Sequence, residues 1–542
     1  MSLSLKKVDY IIVGSGPAGS ILARKLSDNN SVLLLEAGPY AQNDPLIKQS
    51  NPLGLQLAKA QYFWEESTIP QQCANNLELD YTGGRVLGGS SSINGGIYFR
   101  GSRDLYEIWQ QLTGDDAWSP DNVVKFAKQF ENYVGSSEDQ SARGHGGLLD
   151  VRQLQLDPNN PAFPAVNTIW TGIQAASTQA GVDVPTVLDP NVQPAPGVPS
   201  ICKYVNLQIT QKTNAENFGE RESAYTSMLE DIVQVDNSKT FALGKNGRRL
   251  TILFSATALN VIFNGNKAKA VSFLYNGKQE IVRACKKVIL SAGINTPQLL
   301  QNSGVGNPQV LANAGIPTII NNPNVGARLH DHPSFQTIFA VPPDQVLPPD
   351  QFTTFVSGAF LPDPRPGKDK TKRAIQLVGF LLPGSGIFIL IGYLLNSKSV
   401  GSIPVIRKDP LSQALPDYNI LCDPDDVDLI KASYQTYVLA FINAVLSKNY
   451  FPVQPTMEQI QSDQALTDFI RRNIQTSYHY GESVRMATLA NGGAVDSSGR
   501  VYGARNLIVA DNSIQPIINN GNTQFNSYLI GWKIAQDILF NK

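Results

Sequence analysis

Apolar positions in this chain fall into short runs cut by glycine, proline and polar turns. The first run, at residues 10–13, has no charged position and predicts a buried strand. It breaks at Val13-Gly14-Ser15-Gly16-Pro17-Ala18-Gly19-Ser20, where a helix is predicted to open near Pro17. A second run at 32–35 predicts a strand ending in Glu36-Ala37-Gly38. Residues 375–395 are apolar over a span long enough to cross a bilayer. Pro383-Gly384-Ser385-Gly386 cuts that stretch, so two buried strands joined by a turn are expected and no membrane span. A further strand is expected over 401–407. A helix is expected over 424–446, with Leu429, Tyr434, Val438 and Ile442 toward one face.

The first strand, its glycine turn and the second strand form a dinucleotide pattern. Gly14 permits the tight turn, Gly16 lets a pyrophosphate approach the backbone, and Gly19 lets the helix pack close to the strand. The helix N-terminus then offers free amides and a positive dipole end to phosphate. Glu36 stands 20 residues beyond Gly16, at a strand end, where its carboxylate suits the hydroxyls of a ribose.

Composition narrows the classes. A chain of 542 residues is too long for one core, so two or more domains are expected. A net charge of −1 leaves no basic excess for nucleic acid. The four cysteines are scattered without a CxxC pair, and suggest neither a metal site nor a disulfide framework. The short polar stretch before the first strand has no apolar core of a secretory leader, so a cytoplasmic location is expected.

A second run dense in small residues, Gly83-Gly84-Arg85-Val86-Leu87-Gly88-Gly89-Ser90-Ser91-Ser92-Ile93-Asn94-Gly95-Gly96, cannot build a core. It can bring backbone amides against a flat cofactor, with Arg85 available to phosphate and Asn94 to polar ring edges.

This run resembles the first signature of the glucose–methanol–choline (GMC) oxidoreductases, and Tyr98, Gly101 and Glu107 continue it. Similar segments recur along the chain: Gly144-His145-Gly146-Gly147, Ser291-Ala292-Gly293 with Thr296-Pro297-Gln298, Asp331-His332-Pro333, His479, and Gly521-Asn522-Thr523. The resemblance implies an α/β fold: a Rossmann-like FAD domain (1–155, 216–330 and 488–542) with an α+β substrate domain on an antiparallel sheet (156–215 and 331–487). It implies FAD as cofactor, a small alcohol as substrate, and oxygen or an artificial acceptor as the flavin's oxidant. It places His479 and Asn522 over the flavin. The cofactor set it implies is Gly14, Ser15, Gly16, Gly19, Glu36, Ala37, Arg85, Gly88, Ser90, Asn94, Gly95, Ile97, Ala258, Asp511 and Thr523, with no metal.

A histidine suits removal of a hydroxyl proton near neutral pH. An asparagine beside it can donate to developing alkoxide without competing as a base. His145, His330 and His332 fall in stretches that read as structural. Tyr62, Phe63, Trp64 and Phe525 are candidates for an apolar substrate wall or for ordinary core. Ile93 stands where some relatives attach FAD covalently, so non-covalent FAD is expected. The family's usual Pro-x-Gly-Thr after the histidine is replaced by Tyr480-Gly481-Glu482-Ser483, and Arg328 replaces an asparagine. Glu482 reads either as part of a proton relay or as a solvated acid. The His479-Tyr480 pair also admits an FAD-containing hydroxynitrile lyase, and a non-catalytic flavoprotein is a third reading. Asn522, where lyases carry histidine, opposes the second; retention of both His479 and Asn522 opposes the third.

Overall fold

The computed structural model describes residues 5–49, 60–154, 159, 162–192, 194–348, 355–412 and 414–540. The 155/156 boundary expected between domains lies outside them. Strand β1 (Lys7–Val13) and strand β2 (Val32–Leu35) flank helix α1 (Pro17–Leu26). Both strands are almost wholly buried, as expected of parallel strands covered on two faces. A two-stranded ribbon follows, β3 (Phe63–Ser67) against β4 (Asp80–Gly84).

The long strand β5 (Lys278–Leu290) and the short strand β6 (Leu507–Val509) complete the centre of a nine-stranded sheet. There β6, β5, β1, β2 and Leu250–Leu253 run parallel. Antiparallel strands extend both sides. Helix α2 (Gln524–Leu539) returns from the C-terminus and packs across α1, where a Cβ on Gly531 would fall 2.5 Å from Ala18 Cα. Chain ends far apart in sequence thus meet at one sheet.

The second sheet has six antiparallel strands, in the order Phe451–Gln454, Ser334–Ala340, Ile387–Leu394, Ile375–Leu382, Phe355–Leu361 and Cys202–Tyr204. The two strands expected within 375–395 are present as a hairpin, turning at the predicted Pro-Gly-Ser-Gly. Phe388, Leu390 and Leu394 point into a core shared with the helices behind. Ile389, Ile391 and Tyr393 alternate with them and face the opposite way, onto the site described below.

The helix over 424–446 is present and continuous, with a π-helical turn at Tyr434–Val438, and its four expected face residues are buried. The strand expected over 401–407 is not. Gly401 and Ser402 make only isolated bridges, Pro404 has no amide to offer, and the Val405 amide donates to the Gln301 side chain. The reading of the cysteines is also corrected. Cys73 and Cys422, 349 residues apart, form a disulfide, while Cys202 and Cys285 are free.

Candidate active site

One cavity of about 680 Å³ runs between the two sheets. At its β1 end, Gly14 adopts φ +96°, and a Cβ there would fall 2.2 Å from the Ser291 carbonyl oxygen. A Cβ on Gly19 would fall 2.0 Å from the Gly14 carbonyl oxygen, so α1 lies against the turn only because Gly19 is bare. Gly16 caps α1 with no side-chain partner, and a Cβ on it would meet nothing within 4 Å. Its open face lines the cavity beside the helix start.

Glu36 follows β2 into the same space. Its carboxylate accepts from the Ser15 amide (3.0 Å), the Ser15 hydroxyl (2.5 Å) and the Gly38 amide (2.8 Å). Burial raises its pKa, opposed by those donors. Gly88 amide donates to Ser15 Oγ (2.9 Å), tying the glycine–serine run to the first turn. Arg221, buried without an acid partner among the described residues, donates to the carbonyls of Ile47, Gln49 and Asn94 and so holds that run in place.

Of the expected cofactor residues, Gly14, Ser15, Gly16, Glu36, Ala37, Ser90, Asn94, Gly95, Ile97, Ala258, Asp511 and Thr523 line this cavity together with His479 and Asn522. Gly19 and Gly88 act behind it. Arg85 is exposed, its guanidinium 4.9 Å from the Trp64 ring centroid, and is not on the wall. Phe63 and Trp64 are on the wall; Tyr62 is not, and Phe525 packs in the core against Tyr98 and Phe130. Ser291 Oγ, Asn512 Oδ1, Ser513 Oγ and the Asn302 amide are buried polar atoms on wall residues without a protein partner. Glycine cradle, ribose-suited acid and spare polar atoms together fit an elongated dinucleotide such as FAD.

At the opposite end, Gln376 Nε2 donates to Asn522 Oδ1 (3.3 Å), turning the amide so that Nδ2 donates to His479 Nε2 (3.1 Å). His479 Nε2 is therefore the bare, basic nitrogen and Nδ1 carries the proton, 3.1 Å from His332 Nδ1. Burial lowers the His479 pKa to about 4, so the ring is neutral at neutral pH. His332 is pushed down by burial and then by His479, which suits a neutral acceptor.

The loop is anchored by Asp331. Its Oδ1 accepts from the His332 and His479 amides (both 2.8 Å), and its Oδ2 from the Ser477 amide (3.1 Å) and the Thr476 hydroxyl. Tyr478 and Glu482 bracket the histidine with φ of +59° and +66°, a backbone conformation costly for side chains of this kind.

His330 keeps a structural role in its pairing with Glu482, whereas His332 contacts His479, and the solvated-acid alternative for Glu482 is corrected by its burial. Glu482 is 1% exposed. It accepts from His330 Nδ1 (2.8 Å), Arg328 Nε (3.0 Å) and the Ile518 amide (3.1 Å). Burial opposes its ionisation, but His330 and Arg328 outweigh it and hold the carboxyl at about 2. Glu482 does not line the cavity, and its pairs lock the loop after His479 to the segment before His332. Of the missed residues, His332 and Asp331 meet His479, and Gln376 meets Asn522, across more than a hundred positions of chain; only Asp331-His332 stood out as a motif.

The chain is similar to known proteins over nearly its whole length. An oxygen-dependent choline dehydrogenase of Sinorhizobium fredii is 28% identical, over 98% of this chain and 96% of its own. An alcohol dehydrogenase [acceptor] of Pseudomonas putida is 30% identical, over 98% and 95%. The crystal structure of pyridoxine 4-oxidase from Mesorbium loti shares the fold with a TM-score of 0.81, at 23% identity over 98% and 99%. Two family models described as GMC oxidoreductase match residues 8–334 and 397–531, and the chain belongs to the GMC oxidoreductases.

Proposed function

We propose that, within the FAD-dependent alcohol oxidation of this family, His479 takes the hydroxyl proton on Nε2 and Asn522 positions the substrate oxygen. The contact of Asn522 Nδ2 with His479 Nε2 at 3.1 Å, in the cavity that also holds Gly16 and Glu36, carries this reading. An alcohol oxygen inserted between the two side chains accepts from Asn522 and donates its proton to His479. His332 accepts from His479 Nδ1–H and steadies the imidazolium that forms, while Asp331 fixes the loop. The wall from Ile389, Ile391 and Tyr393 excludes water around the reacting carbon. Bound FAD supplies the hydride acceptor. A primary alcohol is the expected substrate, and oxygen or another small acceptor reoxidises the cofactor.

The test is anaerobic mixing with a panel of primary alcohols. The oxidised flavin band should bleach, then return when air or an artificial acceptor is admitted. Mandelonitrile cleavage without bleaching by any alcohol would support the lyase reading instead. We propose further that FAD is held without a covalent bond, because Ile93 on the wall has no nucleophilic atom. Acid precipitation should leave the flavin in the supernatant; flavin retained in the pellet would overturn this.

A further inference from the structure

The cavity wall carries three carboxylates, Glu36, Glu66 and Asp511, and no lysine or arginine among the described residues. Two of the three acids are fully engaged. Glu36 serves the Ser15 and Gly38 donors already described. Asp511 accepts from the Gly293 amide (3.0 Å), the Thr296 hydroxyl (2.6 Å) and the Ser513 amide (2.8 Å). Glu66 differs. It is 8% exposed, yet its one donor among the described residues is the Ala414 amide, 3.2 Å from Oε2. Its burial pushes the carboxyl up to about 7. A buried acid so poorly supplied with donors is costly to ionise unless something else meets it.

Position makes a substrate group that something. Glu66 stands opposite Tyr81 in the β3–β4 register. The Tyr81 ring lies 4.8 Å from that of Tyr480, the residue after His479. Glu66 is therefore separated from the reacting end by two side chains. The wall around it is aromatic, with Trp64, Tyr478 and Tyr480; Arg85 stands 4.9 Å from the Trp64 ring centroid but off the wall, and Tyr480 is stacked on Tyr418. A spare carboxylate oxygen in an aromatic, cation-free cavity suits an ammonium or protonated ring nitrogen. A carboxylate-bearing substrate would meet the Glu66 carboxylate, with no lysine or arginine among the described wall residues to offset it.

Resting on alcohol oxidation at His479, we propose that Glu66 determines substrate specificity by holding a cationic nitrogen remote from the carbinol. The class of substrate is thus an amino alcohol, or an alcohol carried on a basic ring.

The test uses holoenzyme and three para-substituted benzyl alcohols bearing aminomethyl, methyl or carboxylate groups. Wild-type kcat/KM should rank cation above neutral above anion. In Glu66→Gln, which keeps the side-chain shape, the cation-to-neutral ratio should fall about tenfold. Glu66→Asp should retain part of it. An unchanged ratio in Glu66→Gln, or a wild-type preference for the anion, overturns the proposal. A ratio is insensitive to general loss of folded enzyme. A second readout, independent of turnover, is the perturbation of the flavin spectrum by benzylamine and by benzoate. Tighter benzylamine binding that weakens in Glu66→Gln supports Glu66 even if no alcohol bleaches the flavin, in which case only the catalytic reading fails. Equal benzylamine affinity in both proteins removes the Glu66 proposal and leaves the catalytic reading standing.

Discussion

His479 is useful as a base because of which nitrogen is bare, and that is decided by its neighbours. Gln376 orients Asn522, Asn522 donates to Nε2, and His332 accepts at Nδ1. Replacing His479 with alanine should lower the rate of flavin reduction by about 10² to 10⁴, the usual range for a lost general base, with FAD content little changed. Asn522→Ala should cost less, about 10² to 10³, the range for one lost donor to developing charge. Near-normal reduction in His479→Ala would place the base elsewhere. The pH profile follows from the lowered pKa. The neutral ring is the active form, so kcat/KM should rise with pH through about 4 and be level at neutral pH. An acid limb centred near the ordinary histidine value of about 6.5 would show that burial does not set this group in the working enzyme.

At the scale of elements, the contact between β1, its turn and α1 is governed by side chains that are absent. A methyl on Gly19 would lie 2.0 Å from the Gly14 carbonyl oxygen and 3.2 Å from Ser291 Cβ. Gly19→Ala should therefore push α1 off the turn and weaken FAD binding by tenfold or more, read as flavin lost on dialysis and a lower melting temperature. Full flavin content in that variant would contradict the packing account. The same locality explains why this half of the site was legible in the sequence. Strand, glycine turn, helix start and Glu36 lie within thirty residues, so spacing alone specifies them. The hairpin within 375–395 was legible for the same reason, since the turn interrupts its own apolar run. The 401–407 strand was misread because its apolar residues satisfy burial, while Pro404 and a Gln301 side chain take over the backbone hydrogen bonding. His332 was misread, and Glu482 was left between two readings, because their partners come from another segment. Backbone pairing of His330 with Gly481 brings those segments together, and no local pattern announces it.

Across the whole molecule, the Cys73–Cys422 disulfide joins segments that both reach the cavity wall. Cys73 lies in the connection between β3 and β4, the ribbon that carries Trp64 and Glu66. Cys422 ends the stretch from Pro410, which adds Leu411 and Ser412 to the wall and supplies the Ala414 amide to Glu66. Ribbon and stretch also meet through the Ile69 amide on the Pro416 carbonyl and the Tyr418 hydroxyl on the Asp80 carbonyl (both 3.0 Å). These few polar contacts are weak individually, about 1 kcal/mol each, and the covalent link holds them in register. A disulfide closing so long a loop typically stabilises by about 2–4 kcal/mol, chiefly by restricting the unfolded chain. The paired variant Cys73→Ser/Cys422→Ser should therefore melt at lower temperature than the parent and lose activity sooner on heating. Its ribbon should become the first site of cleavage in limited proteolysis, between β3 and β4. Because neither cysteine lines the cavity, flavin content and the rate of flavin reduction by a small neutral alcohol should change less than stability does. Unchanged melting and an unchanged first cut would show that the two segments hold each other without the bond, and that packing alone keeps the wall of the site in shape.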